Sequence, residues 1–155
     1  MFKRTLERGF TLIELLVVIA IIGILAATVL ASLGSARQGG SNASVKGSIT
    51  SAKAQAEIYY TSSSTYSGVC AATAAQNGLS ALSAAAQSNS PATSVVNTLA
   101  TAQVATTVNC HDNGTTGWAL SAPLNGTPQR YFCSDSTGKS SETATPLQAS
   151  LVTCP

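Results

Sequence analysis

Gly9-Phe10-Thr11-Leu12-Ile13-Glu14-Leu15-Leu16-Val17-Val18-Ile19-Ala20-Ile21-Ile22-Gly23-Ile24-Leu25-Ala26-Ala27 is the stretch that decides the fold. From Leu12 to Leu33 the only polar side chains are Glu14, Thr28 and Ser32. These 22 residues, at about 1.5 Å each, reach roughly 33 Å as a helix, enough for a hydrocarbon core of about 30 Å. Lys3, Arg4 and Arg8 precede the run. The positive-inside tendency therefore keeps the start cytoplasmic and sends everything after Arg37 across the membrane. A secretory signal peptide cut after Ala31 is disfavoured, because the apolar run exceeds the roughly 7–15 residues of such signals and contains an acid. A plain signal anchor, with Glu14 snorkelling to the interface, is the blander alternative. A carboxylate inside a membrane helix costs about 2.5–3.5 kcal/mol on insertion scales and usually marks a function, so Glu14 calls for a cationic partner.

Outward from this segment the chain is short of material for a core. Of 155 residues 45% are hydrophobic but only 5% aromatic, so much of the apolar count is alanine, which buries little area. The small head needs staples. Cys70, Cys110, Cys133 and Cys154 all lie in the distal part and read as two disulfides formed in an oxidising compartment. Joining Cys70 to Cys110 and Cys133 to Cys154 needs only local closure, but four cysteines allow three pairings and the sequence leaves them open. No CxxC pair occurs and His111 is the single histidine, so zinc-ligand spacing is missing. The net charge of +2 resides in the first nine residues. The neutral body that follows lacks the clustered Lys and Arg of a nucleic-acid surface.

Gly9-Phe10-Thr11-Leu12-Ile13-Glu14 and the apolar run behind it resemble the type IV prepilin signature, over about the first 30 residues. The family so indicated includes type IV pilins, type II secretion pseudopilins and competence pilins. The resemblance implies cleavage by a membrane aspartyl peptidase after Gly9 and methylation of the new amino terminus, Phe10. It also implies that Glu14 pairs with the freed amine of a neighbouring subunit during assembly. Gly23 falls where the helix of this family is often locally melted and is expected to supply helix flexibility. Where many members carry a kinking proline, this chain has Ala31.

The resemblance organises the chain into a leader at 1–9, a membrane and filament-core helix at 10–36, an amphipathic helix at 37–64 and a head at 65–155. Gly34 and Gly39-Gly40 give a weak hinge signal. Val45, Ile49, Ala52, Ala56 and Tyr59 then recur at spacings of four and three, an amphipathic helix expected to end in the serine run Ser62 to Ser64. Tyr59, Tyr60 and Tyr66 read as packing residues. Residues 71–109 are rich in Ala, Ser, Thr, Asn and Gln and read as a variable loop, with short helices possible at Leu79–Gln87 and Ala92–Ala102. Strands are expected at Val104–Asn109, Trp118–Ala122 and Arg130–Ser134, split by Asn113-Gly114 and Asn125-Gly126 turns. They form an antiparallel sheet within 104–134, with Trp118 and Phe132 as core residues on strands that face one another across the Asn125-Gly126 turn. Tyr131-Phe132-Cys133-Ser134-Asp135-Ser136-Thr137-Gly138 resembles a sheet-closing piece of some bacterial pilins. The polar tail, 135–155, is pinned by Cys154.

The head offers few titratable groups for catalysis. His111-Asp112 reads as a turn, and a calcium site using Asp112 and Asp135 lacks the six to eight oxygens it needs. Asn42-Ala43-Ser44, Asn113-Gly114-Thr115 and Asn125-Gly126-Thr127 match the glycosylation triplet, the last two better explained as turns. The fold class read from the sequence is therefore α+β and type IV pilin-like, a long amino-terminal helix packed on a small antiparallel sheet with disulfides. The function that follows is a non-enzymatic structural pilin, without cofactor or metal. Its partners are its own copies in a helical homopolymer, the prepilin peptidase, an inner-membrane assembly platform and the membrane. The precursor is expected in the cytoplasmic membrane and the mature form in an extracellular pilus serving adhesion or motility. The alternatives are a pseudopilin of protein secretion and a minor or competence pilin that binds DNA or surfaces at the tip.

Overall fold

The computed structural model describes residues 9–72 and 76–155. The leader expected at Met1–Gly9 lies, Gly9 excepted, outside the described residues. The chain divides into two units, with Arg37 closing the first and Gln38 opening the second. Helix α1 (Leu12–Ser63) passes through both. In the first unit it exposes apolar side chains all round, from Leu12 at 88% through Ile19 at 60% to Leu33 at 59%. Gly34, Gly39 and Gly40 lie inside this helix and do not interrupt it. It stops where the serines begin: the Ser62 and Ser63 hydroxyls donate to the Tyr59 carbonyl, both at 2.8 Å, and Ser64 adopts a left-handed φ of 57°. Such side-chain bonds compete with the helical ladder and end it.

In the second unit the stripe Val45, Ile49, Ala52 and Ala56 is fully buried. It packs on one face of a five-stranded sheet, against Val108, Cys110, Trp118, Leu120 and Ala122. The strands are β1 (Ser94–Val96), β2 (Thr107–Asp112), β3 (Trp118–Pro123), β4 (Tyr131–Asp135) and β5 (Ser140–Thr143), ordered as in the chain. A short helix, α2 (Ser80–Ser88), buries Ser83 and Ala86. The sheet is mixed, which corrects the antiparallel expectation: β1 pairs parallel to β2, with Val95 opposite Val108, and only β2 to β5 form an antiparallel meander. Strand β1 lies where a helix over Ala92–Ala102 had been allowed. Its core, Val95-Val96, is a β-branched pair too short to show a period in its polar surroundings. The sheet also reaches β5 inside the polar tail, beyond the expected limit of 134.

Register corrects two further expectations. Strand β2 begins at Thr107, leaving Val104 outside it and 53% exposed. His111 and Asp112 are strand residues, not a turn, and His111 is fully buried. Phe132 lies opposite Ala122, whereas Trp118 lies opposite Asp112 four residues along β3. Their strands pair as expected, and both aromatics join the same core, Trp118 buried and Phe132 partly so. The Asn113 turn forms as expected: its Oδ1 accepts from the amides of Thr115, Thr116 and Gly117. Gly114 there takes a φ of +81° that favours glycine.

Side chains alternate along strands, so Asn109, His111, Ala119, Ser121, Cys133 and Asp135 turn to the opposite face. Leu147 and Cys154 of the tail pack there on Ala119 and Cys133. This cover is irregular chain, and buried backbone without a ladder must find partners elsewhere. Leu147 N donates to Gln103 Oε1 at 3.1 Å, Ser150 N to the Leu99 carbonyl at 2.6 Å, and Cys154 N to Asp135 Oδ2 at 2.7 Å. His111 Nδ1 lies 2.9 Å from the Leu151 carbonyl. Gly117 completes the fit, since a Cβ there would stand 2.9 Å from Val152 Cγ2. The polar residues of this face thus hold the tail down.

Asp135 is the most loaded of them. Burial pushes its carboxyl up, but hydrogen bonds from Cys154 N, from the hydroxyl and amide of Thr137 and from Lys139 N outweigh it and hold the group below its ordinary range. A depressed folded-state pKa contributes stability that is present above the unfolded value, near 4, and is lost as pH falls through the folded one. Urea unfolding at a series of pH values is expected to show the head weakening below about pH 4. Asp135→Asn should cost about 2 kcal/mol at neutral pH and flatten that acid limb; an unchanged limb would contradict the assignment.

Candidate functional site

The residues singled out for processing and assembly sit at the start of α1. Thr11 precedes the helix, and Thr11-Leu12-Ile13-Glu14 closes a capping box. Thr11 N and Oγ1 donate to Glu14 Oε2 at 2.9 and 2.8 Å, while Glu14 N donates to Thr11 Oγ1 at 3.3 Å. Two amides orphaned at a helix start are thereby satisfied reciprocally. Sequence reasoning passed over Thr11, although the signal was present: a threonine three residues before a glutamate, ahead of an apolar run.

The box answers part of what Glu14 needs. It supplies hydrogen bonds but no charge, and residues 9–36 contain no lysine or arginine. A cation for Glu14 must come from the leader, from a terminus freed by cleavage, or from another molecule. The rest of the segment is self-sufficient in polar terms. Thr28 Oγ1 donates to the Leu25 carbonyl at 2.9 Å and Ser32 Oγ to the Val29 carbonyl at 3.1 Å, which suits hydroxyls in hydrocarbon. Gly23 lies within α1, and a Cβ there would meet nothing within 4 Å. A helix apolar on every side is stable only in lipid or among other helices.

Residues 4–30 match the prokaryotic N-terminal methylation motif. The chain carries a prepilin signature, that of type IV pilins and pseudopilins. No curated protein and no solved structure matches the chain. The prepilin signature implies processing by prepilin peptidase and pilus-type assembly in the membrane, and it points to a structural protein. With the exposed apolar length of α1 it fits a membrane-anchored precursor. The long helix on a mixed sheet is a pilin-like α+β fold.

The head behind the prepilin signature is cross-linked twice, Cys70 to Cys110 and Cys133 to Cys154. Among the described residues no His, Cys, Asp or Glu cluster could hold a metal ion. Asp112 and Asp135 pair across the sheet with Trp118 and Ala119 respectively, so they point to opposite faces and cannot converge on calcium. Of the tyrosines, Tyr59 donates to the Ser67 carbonyl at 2.6 Å and Tyr66 to Glu57 at 2.7 Å. Tyr60 packs against Tyr66, the ring centroids 4.8 Å apart and the planes tilted by 39°. Asn42 spends its side-chain amide on the backbone of Asn125, its Oδ1 accepting from Asn125 N at 2.7 Å and its Nδ2 donating to the Asn125 carbonyl at 2.9 Å, while Asn125 Nδ2 donates to the Asn89 carbonyl at 2.9 Å.

Proposed function

We propose that this chain is the major structural subunit of a type IV pilus. On this reading the precursor is cut after Gly9, methylated on Phe10 and polymerised by burying residues 10–33 among identical helices. The observation that carries it is an exposed apolar helix whose single acid, Glu14, has hydrogen bonds but no cation in its own segment. Freed by cleavage, the amino group of Phe10 is a cation at the right depth. Two unit charges about 4 Å apart attract by about 4 kcal/mol at an effective dielectric near 20, before desolvation is subtracted. Offered by a staggered neighbour, that amine gives register to an otherwise uniform apolar bundle. The sparsely charged, disulfide-linked head suits a repeated surface unit outside the cytoplasm.

Electron microscopy of surface filaments, with mass spectrometry of sheared material, tests the assignment to the major subunit. This chain is expected to dominate the preparation. Filaments built from another subunit, with this chain scarce or absent, would favour a pseudopilin or a tip subunit instead.

A further inference from the structure

His111 is the chain's one histidine and is fully buried on β2, on the sheet face that the tail covers. Both of its ring nitrogens lie against backbone oxygens: Nδ1 is 2.9 Å from the Leu151 carbonyl in the tail, and Nε2 is 2.9 Å from the Thr101 carbonyl in the crossover between β1 and β2. A carbonyl only accepts, and a neutral imidazole has one N–H to give. In a neutral ring one of these contacts sets lone pair against lone pair at hydrogen-bonding distance, whereas an imidazolium donates both bonds. The neighbouring Asn109 does not relieve this. Its Oδ1 accepts from the Thr107 hydroxyl at 2.7 Å, which turns its Nδ2 toward the Thr101 carbonyl at 2.9 Å, and that Nδ2 stands 3.4 Å from His111 Nε2.

The surroundings suit a cation, which is costly to bury unless it is bonded and paired. The tail from 144 to 153, the crossover at 97–106, β1 and β3 carry no ionisable side chain. Strand β4 brings Asp135, in register with His111 through Ala119 and so on the same face, two strand spacings or about 10 Å away. Lys139, after β4, gives its ammonium to the Cys154 and Pro155 carbonyls. Asp112 points to the other face and accepts from Gly68 N at 3.3 Å.

We infer that His111 is a proton-operated clamp: charged, it fastens the surface turn at 97–102 and the tail to the sheet at once, and neutral, it lets the turn go. The proton that leaves is the one on Nε2. Asn109 Nδ2 is placed to donate to that nitrogen once it is bare, whereas Nδ1 has the Leu151 carbonyl before it. Ser150 N donates to the Leu99 carbonyl at 2.6 Å and Gln103 N to the Leu147 carbonyl at 2.8 Å, so these two amides join turn to tail and report its slackening. The clamp rests on the fold of the head and not on the filament assignment.

The full chain in detergent micelles, labelled with nitrogen-15 at its one histidine, tests this by NMR between about pH 5 and pH 8, where histidines exchange their charge. Both ring nitrogens are expected to be protonated at the acid end and Nδ1 alone at the alkaline end. That is the reverse of the tautomer a free histidine favours, and the bond each nitrogen makes sets the choice. Exchange of the Gln103 and Ser150 amides, taken relative to the amides of β3 at each pH, should rise about fivefold over the same range, the equivalent of one hydrogen bond. In His111→Gln, which has no titrating proton, that ratio should not move with pH. A ring neutral at the acid end, a neutral ring that keeps its proton on Nε2, or a ratio in the native chain that ignores pH would overturn the inference, as would a pH dependence that survives His111→Gln. Should the variant fail to fold, the ring nitrogens of the native chain decide alone.

Discussion

Glu14→Ala is expected to leave cleavage after Gly9 and methylation of Phe10 intact while abolishing filaments. The capping bonds to Thr11 show what the carboxylate does within one chain, and such a cap is worth about 1 kcal/mol. Its loss alone would fray a turn. The proposed ion pair with a neighbour's amine would be larger, about 4 kcal/mol of attraction before desolvation, and would recur at every subunit added. A loss of that order weakens each addition by two to three decades, since about 1.4 kcal/mol is tenfold. Glu14→Gln separates the two roles, because the amide oxygen still accepts from Thr11 but carries no charge. It too should fail to assemble, whereas Thr11→Ala should assemble less well but not fail. Immunoblots of processed subunit beside counts of surface filaments give both readouts. Normal filaments from Glu14→Ala would remove the proposed register role.

The second large effect lies in the head. Replacing Cys70 and Cys110 together with alanine is expected to cost about 4 kcal/mol of folding stability. The link closes 40 residues, against 21 for Cys133 and Cys154, and the chain-entropy estimate for the shorter loop is about 3 kcal/mol. Both Cys70 and Cys110 are fully buried in the core beneath α1, so the substitution also removes packing volume. A domain with only 5–15 kcal/mol in hand and so few aromatics has little else to offset this. The surface pairs Lys46–Glu142 at 2.8 Å and Arg130–Glu142 at 3.1 Å are too exposed to substitute for it. Urea midpoints under oxidising conditions measure the difference. A shift equivalent to less than about 1 kcal/mol would mean that the polypeptide alone shapes the head.

Legibility in the sequence followed the strength of periodic and covalent signals. The apolar run and the buried stripe Val45, Ile49, Ala52 and Ala56 were readable because each repeats one rule over several turns. Strands β3 and β4 were readable from turn residues on either side of apolar runs. Strand β1 was not, because three residues cannot display an alternation, and its parallel pairing with β2 depends on an irregular crossover at 97–106. Strand β5, Ser140-Ser141-Glu142-Thr143, offers no apolar face and is held at the sheet edge by its neighbour. His111 was misread because a polar residue beside Asp112 suggests a turn. Its place is set by the tail, which needs donors and acceptors on that face of the sheet. At the assembly segment the signature named Gly9, Phe10 and Glu14, while Thr11 emerged only when the helix start was seen as a reciprocal cap.

The central claim is that the apolar segment exchanges lipid for copies of itself once the leader is gone. Intact-mass and amino-terminal analysis of the chain recovered from sheared surface filaments tests it most directly. The expected result is a polypeptide that begins at Phe10 and carries one methyl group on its terminal amine. A chain that still begins at Met1, or that begins after Ala31, would contradict it.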